Sequence, residues 1–179
     1  HRDGTDQSLS SYVEYDASRS PIDYYSRPRG ADTKGWMFDY TTALKRTFEP
    51  RKHELSTEIR FNRARDEDRT ELWKDPASSA PLEGEVDATD ALTKQLTAQA
   101  DYTRPLGTTL KLETGYKGNA RWLDRDFSVR KDALGDGNWL RSNLSNAFKF
   151  DETVHAAYAV LSRPVGKLEL QGGLRAERA

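Results

Sequence analysis

The sequence predicts an all-β fold: an antiparallel up-and-down meander forming a segment of a transmembrane β-barrel, with short turns at one end and long polar loops at the other. Three observations predict it. Apolar and polar residues alternate with a period of two in three separate hairpins. Short proline-marked connections recur at one end of those hairpins, and long charged segments join them at the other. No apolar run approaches the roughly 20 residues of a membrane helix, whereas a barrel strand needs an apolar residue only at every second position.

The expected unit is a single partial barrel over residues 1–179, with hairpins at about 35–65, 92–122 and 152–178 and long loops at about 16–34, 66–91 and 124–151. In the first hairpin Trp36, Phe38, Tyr40, Thr42 and Leu44 alternate with Met37, Asp39, Thr41, Ala43 and Lys45. After the turn EPRK, Leu55, Thr57, Ile59 and Phe61 alternate with Glu54, Ser56, Glu58 and Arg60. The second hairpin sets Ala100, Tyr102, Leu110, Leu112, Thr114 and Tyr116 against Asp101, Thr103, Lys111, Glu113 and Gly115 across a Pro-Leu-Gly turn. The third carries Val154, Ala156, Tyr158 and Val160 on one face, then returns through Leu168, Leu170 and Leu174 opposite Glu169, Gln171 and Arg175. His155 alternates with Val154 and Ala156, so it is expected to face the lumen or to be hydrogen-bonded. Pro50, Pro105 and Pro164 are each expected in a short connection, where a missing N–H is tolerated.

The connecting segments are rich in charge, Gly, Ser and Pro, and long loops of that kind are usually functional. The polar strand positions mix signs, as in Glu54, Glu58 and Arg60 or Lys111 and Glu113. Opposite charges on cross-strand neighbours are favourable, which suits a wet or plugged lumen and also a solvated sheet. Phe48 and Tyr102 near the short turns, with Trp36 and Trp122 about a dozen residues up their strands, are spaced as two interfacial girdles about 25 Å apart.

Composition narrows the chemistry. The 28 Lys and Arg against 29 Asp and Glu leave a net charge of −1, which gives no electrostatic reason for a nucleic-acid partner. The chain has no cysteine, so disulfides, thiol catalysis and Cys-ligated metals drop out together. It begins HRDGTDQ, without a charged-then-apolar leader, and ends GLRAERA within a strand pattern, so both ends read as cut from a longer polypeptide. His1, His53 and His155 lack ligand spacing. Asp66, Glu67, Asp68 and Glu71 could offer oxygen to a divalent cation, but without the EF-hand pattern they read as a solvated charge run. The GDG after Leu134 reads as a turn. No GxSxG, HExxH or phosphate loop is present. No catalytic residue, metal ligand or cofactor is therefore expected, and an enzyme is the least favoured reading. Tyr24, Tyr25, Trp73 and Trp139 lie in the expected outer loops, where rings with polar tips suit sugar or peptide recognition. They are the candidate ligand-binding residues, with packing of loop against loop as the plainer alternative.

Three stretches carry a family resemblance: LTAQADYTRPLGTTLKLETGYKGNARWLDRDF, NLSNAFKFDETVHAAYAVLSRPVGKLELQGGLRAE and FDYTTALKRTFEPRKHELSTEIRFNR. From about Gly35 onward the chain resembles the outer-membrane barrel region of TonB-dependent receptors, in the branch with a carboxypeptidase-regulatory-like domain; LETGYKG, HAAYA and GGLRAE, in this order, are the most telling signals. The resemblance implies a barrel of about 22 strands with a plugged lumen. It implies outer-membrane lipid, a plug domain and TonB as partners. The imported solute would be a siderophore, oligosaccharide, peptide or cobalamin. The chain has no recognisable plug or TonB box, supplies about six or seven strands and lacks a terminal aromatic residue, so the resemblance covers a piece of such a barrel. A soluble β-sandwich binding carbohydrate and a small structural outer-membrane barrel stay open as alternatives at this point.

Overall fold

The computed structural model describes residues 1–50, 52–76 and 82–179. Among them are eight strands and no helix: β1 (Arg2–Tyr15), β2 (Pro21–Glu49), β3 (His53–Pro76), β4 (Glu83–Leu106), β5 (Leu110–Asp132), β6 (Leu140–Arg141), β7 (Asn146–Val165) and β8 (Leu168–Arg178). Their order in the sheet is β1-β2-β3-β4-β5-β7-β8, with the two-residue β6 paired to β5. This is the expected antiparallel meander. β1 and β8 end the order without pairing to each other among the described residues, so the sheet is not closed.

The strands run further than alternation suggested. β2 holds 29 residues, β3 and β4 hold 24 each, β5 holds 23 and β7 holds 20. Most of the three segments expected as loops is therefore strand: 21–34 belongs to β2, 66–76 to β3, 83–91 to β4, 124–132 to β5 and 146–151 to β7. The stretch 77–81 of the second segment, and Arg51 of the EPRK turn, lie outside the described residues. Asn, Asp, Gly and charged residues are poor intrinsic strand formers, but a ladder already begun by the apolar halves carries them on. β1 was not anticipated at all. Its sequence RDGTDQSLSSYVEY is exposed throughout, so neither face leaves an apolar stripe to read.

Local chemistry fixes the turns. Asp16 Oδ1 accepts from Ser18 N at 2.9 Å, Ser18 Oγ at 2.7 Å and Ser20 N at 2.8 Å, closing β1 onto β2. Gly107 (φ 74°) and Gly166 (φ 65°) supply the left-handed backbone of the β4–β5 and β7–β8 turns. Pro50 lies in the β2–β3 turn as expected, whereas Pro105 and Pro164 are the penultimate residues of β4 and β7.

The chain divides into two compact units: His1–Met37, Ala64–Leu92 and Leu123–Lys149, termed the polar unit below, and Phe38–Arg63, Thr93–Trp122 and Phe150–Ala179, termed the banded unit. β2, β3, β4, β5 and β7 each contribute residues to both. The buried hydrophobic side chains among the described residues are Val86, Val129 and Ala156. A chain of this size exposing 13243 Å² shows about half as much again as the roughly 8,800 Å² of a compact monomer of equal mass.

Candidate functional site

In the banded unit the two sheet faces differ sharply. One face carries Phe38 beside Phe61, with ring centroids 6.5 Å apart. On it Phe48 stacks on His53 at 4.3 Å, and His53 Nε2 lies 2.9 Å from Tyr102 Oη. The two residues expected near the short turns as a girdle, Phe48 and Tyr102, are thus joined through a histidine that sequence reasoning had set aside. Arg46 Cζ lies 4.8 Å over the Phe48 ring. Leu44, Leu168 and Leu174 are 66%, 70% and 85% exposed.

The opposite face is a hydrogen-bonded polar wall. Asn62 donates to Asp39 at 2.6 Å, and Lys45 pairs with Glu54 at 2.8 Å. Asn119 Oδ1 accepts from Gln95 at 3.0 Å and from Thr97 at 3.2 Å. Tyr158 donates its hydroxyl to Asp101 Oδ1 at 2.7 Å, and Gln99 donates to Asp101 Oδ2 at 2.7 Å. Tyr158 reaches Asp101 by passing over Gly115. A Cβ there would stand 2.5 Å from Asp101 Oδ1 and 2.7 Å from Tyr158 Cζ, so only glycine leaves the ring its place.

This placement corrects the assignment of β7. Tyr158 lies on the polar wall, and with it the even-numbered set to which Val154, Ala156 and Val160 belong. His155 lies on the other face, where its Nδ1 is 2.6 Å from Tyr116 Oη, so it is hydrogen-bonded but not turned to the lumen side. The β7–β8 register explains why: Ala159 opposes Leu174, Leu161 opposes Gly172 and Val165 opposes Leu168, whereas Tyr158 opposes Arg175. Directly opposed residues share a face. The leucines of β8 therefore pull the odd-numbered side of β7 to the apolar face, a one-residue change that inverts the whole strand.

The same alternating series changes character along each long strand. In β2 it passes from Asp32 and Lys34 to Trp36 and Phe38, and in β3 from Phe61 to Arg63, Arg65 and Glu67. In β4 the change falls between Asp90 and Leu92, and in β5 between Trp122 and Asp124. These switches coincide, within a residue or two, with the boundaries between the two units. The apolar part is about a dozen residues per strand, close to the 9–11 residues of a tilted barrel strand. Phe38–Phe48 and Leu110–Trp122 are thus the length of membrane spans.

An exposed apolar face without a core, an opposite polar wall and spans of this length require lipid on one side and water on the other. The model of a family described as Outer membrane protein beta-barrel family matches residues 46–179. The chain belongs to that family. It is an outer-membrane β-barrel protein, and its apolar face contacts membrane lipid. No curated protein matches the chain. A soluble β-sandwich, which the alternation had left open, is excluded by this membership.

The polar unit of this barrel chain carries charge on both faces. Arg65 holds Asp90 bidentately at 2.6 and 3.1 Å and Glu67 at 3.0 Å, while Arg69 pairs with Glu71 at 2.7 Å. Glu67 and Glu71 of the acidic run are thus ion-paired within β3, and no group of three His, Asp or Glu among the described residues could hold a metal ion. A cavity of about 520 Å³ lies against Asp32, Lys34, Arg65, Asp90 and Asp126. Elsewhere in the unit Lys131 pairs with Glu85 at 2.7 Å. Burial, together with the nearby Glu85 charge and against the pull of Lys131, holds the Asp87 carboxyl above its ordinary pKa. Its buried Oδ1 has no hydrogen-bond partner among the described residues.

The four aromatic candidates separate. Trp73 and Trp139 pack edge to face at 5.5 Å and 80°. They close over Gly84, whose added Cβ would lie 2.7 Å from Trp139 Cη2 and 2.8 Å from Trp73 Cζ3. Tyr25 stacks on Tyr12 at 5.1 Å and 13°, and Lys74 Nζ stands 4.5 Å over the Tyr25 ring. Tyr24, next along the strand, is exposed on the other face. Tyr12 and Lys74 were missed: Tyr12 lies in the unread β1, and nothing local ties Lys74 to a tyrosine 49 positions earlier.

The connection after β5 is organised by Asp132, whose carboxylate accepts from Gly137 N at 2.8 Å and from Leu134 N and Asp136 N at 3.3 Å. Burial pushes this carboxyl up, but the amides of Gly137, Asp136, Leu134 and Gly135 together outweigh it and hold its pKa below the ordinary value. Ser145 ties the return, donating to Val129 O at 3.2 Å and accepting from Val129 N at 3.0 Å.

Proposed function

We propose that the chain is part of the barrel of a TonB-dependent outer-membrane receptor that takes up a scarce solute: a siderophore, oligosaccharide, peptide or cobalamin. Strand length carries this reading. A 29-residue strand such as β2 tilted at 45° rises roughly 65–70 Å, far beyond an apolar band of about 25 Å. The surplus is ordered, twisted sheet with charged and aromatic side chains on both faces, suited to meeting a solute outside the bilayer. The unclosed strand order agrees with a wall completed by further strands. The signals LETGYKG, HAAYA and GGLRAE agree with the receptor branch.

In this reading the polar wall around Asp101 and Tyr158 faces a plug domain, TonB supplies the energy through that plug, and the chain transports without catalysing a reaction. Tyr25 and Tyr24 contribute to solute capture, and the Trp73–Trp139 pair shapes the surface beside them. The test is uptake in cells that express or lack the full-length protein. Solute accumulation should require the protein and stop when the proton gradient is collapsed or TonB is deleted. Accumulation unaffected by either treatment would instead fit a passive structural barrel.

A further inference from the structure

In the banded unit, three strands that run into the short turns end alike. β2 closes on Arg46 and Phe48, β4 on Tyr102 and Arg104, and β7 on Arg163 and Val165. Residues two apart on a strand share a face. Arg46 therefore lies with Phe48, and Arg104 with Tyr102, on the apolar face. Arg163 opposes Leu170 and Val165 opposes Leu168, which puts Arg163 on that face too. Each arginine stands within three residues of its strand's end and is exposed. None has a carboxylate partner among the described residues.

The acids near this end are turned elsewhere. Glu54 pairs with Lys45 and Glu113 with Lys111 on the polar wall. Glu49 alternates with Phe48, and Glu169 opposes Pro164, so both belong to the wall side. Asp151, the acid that alternation assigns to the apolar face, stands at the opposite end of that face. The turns themselves add Lys52 and Lys167, also without an ion pair among the described residues. This rim of the lipid-facing surface is thus basic and free of acid. Arg46 shows how such a cation is carried: its guanidinium reaches turnward over the Phe48 ring, which in turn stacks on His53. A long cationic side chain leaving the apolar region for the interface is snorkelling.

We propose that this basic rim binds the phosphate headgroup of an anionic glycerophospholipid, of the phosphatidylglycerol class, in the leaflet that the short turns reach. The inference goes beyond uptake and is the same whichever solute the protein carries. Short turns of outer-membrane barrels lie on the periplasmic side, so that leaflet is the inner one. A guanidinium fork takes two phosphate oxygens at once. Clustered Lys and Arg at a membrane surface favour anionic lipid. A zwitterionic headgroup would bring an ammonium that the arginines repel and that no carboxylate on this rim can take. The apolar face continues directly from the cations, with the exposed Leu44 two positions from Arg46 and the exposed Leu161 two from Arg163. Acyl chains are covered there, whereas a free phosphate gains nothing from that surface, so the site is committed to a lipid.

The experiment is fluorescence quenching of the full-length protein reconstituted in phosphatidylcholine vesicles. A bimane label is placed on a single cysteine, Leu106→Cys or Val165→Cys, two positions beyond Arg104 and Arg163 on the same face. Brominated phosphatidylglycerol should quench either probe with an apparent affinity about fivefold above that of brominated phosphatidylcholine, the scale of one cation at an anionic surface. Added salt should reduce the preference, and inorganic phosphate should leave the quenching unchanged. Arg104→Gln should lower the preference by about fivefold at Leu106→Cys and leave it at Val165→Cys, and Arg163→Gln should do the converse. The corresponding lysine variants, which keep the charge, should retain most of it. Heat-modifiable gel mobility shows that each variant is folded. Equal quenching by the two lipids at both probes would overturn the assignment. So would an unchanged preference in the folded glutamine variants, a loss in the lysine variants as large as theirs, or displacement of the lipid by inorganic phosphate.

Discussion

The banded and polar units are built from the same strands, yet they handle polarity in opposite ways. In the banded unit one face is aromatic and aliphatic, with His53 and His155 each satisfied by a tyrosine hydroxyl, and the other is a polar wall. In the polar unit both faces are charged, and its order comes from backbone ladders, bidentate pairs such as Arg65–Asp90 and capped turns. Periodicity therefore reports the solvent on each side of a strand more than the strand itself. Where lipid meets one face and water the other, alternation is plain. Where water meets both, the strand persists and the signal vanishes.

The largest effect that could break this comparison is a charge placed in the band. Ala98→Arg, on the apolar series of β4, should destabilise reconstituted protein by about 2–4 kcal/mol near the midplane. Asp126→Arg, on the same side of β5 but in the polar unit, should change stability by about 0.5 kcal/mol or less. Urea unfolding from liposomes measures both, and equal losses would abolish the distinction. Next, Gly115→Ala should cost about 1–3 kcal/mol by forcing Tyr158 and Asp101 apart, whereas Gly30→Ala, with open space at its Cβ, should be nearly silent. The inverted parity of β7 can be sharpened with spin labels: Ala157 should be accessible to oxygen in the acyl region and Ala156 should not. The reverse result would restore the parity read from sequence.

The smallest effect is confined to the turn after β5. The pKa of Asp132 is lower folded than its ordinary 3.8, so its contribution is fully present above that value and is lost as pH falls through the depressed one. Protection of the Gly137 amide, taken as its exchange rate relative to the free-peptide rate at the same pH, should be lost only in that acid window in the wild type, and already at neutral pH in Asp132→Ala. Exchange at Val160, in β7 of the banded unit, should be unchanged in both cases.

Much of the meander was legible because Leu110, Leu112 and Tyr116, or Phe38 and Leu44, contrast with their neighbours. β7 was legible as a strand but not in its facing: Val154, Ala156, Ala157, Tyr158, Ala159 and Val160 offer little contrast between sides. The deciding information sits in the leucines of β8, across a register that alternation within one strand does not contain. Of the candidate aromatics, Tyr25 could be flagged by type, but its partners could not. Tyr12 lies in a strand with no apolar face, and Lys74 and the Trp73–Trp139 pair are joined only by the folded sheet.

Asp132 has a consequence for how such a surface diversifies. Because a single carboxylate gathers the amides of Leu134, Asp136 and Gly137, and Ser145 reattaches the returning chain to Val129, the residues between them are held at both ends by main-chain contacts. Trp139 among them packs on Trp73, whereas the exposed Leu140 and Leu144 side chains take no part in those hydrogen bonds. Sequence change can accumulate at such exposed positions, altering what this connection touches while β5 keeps its pairing.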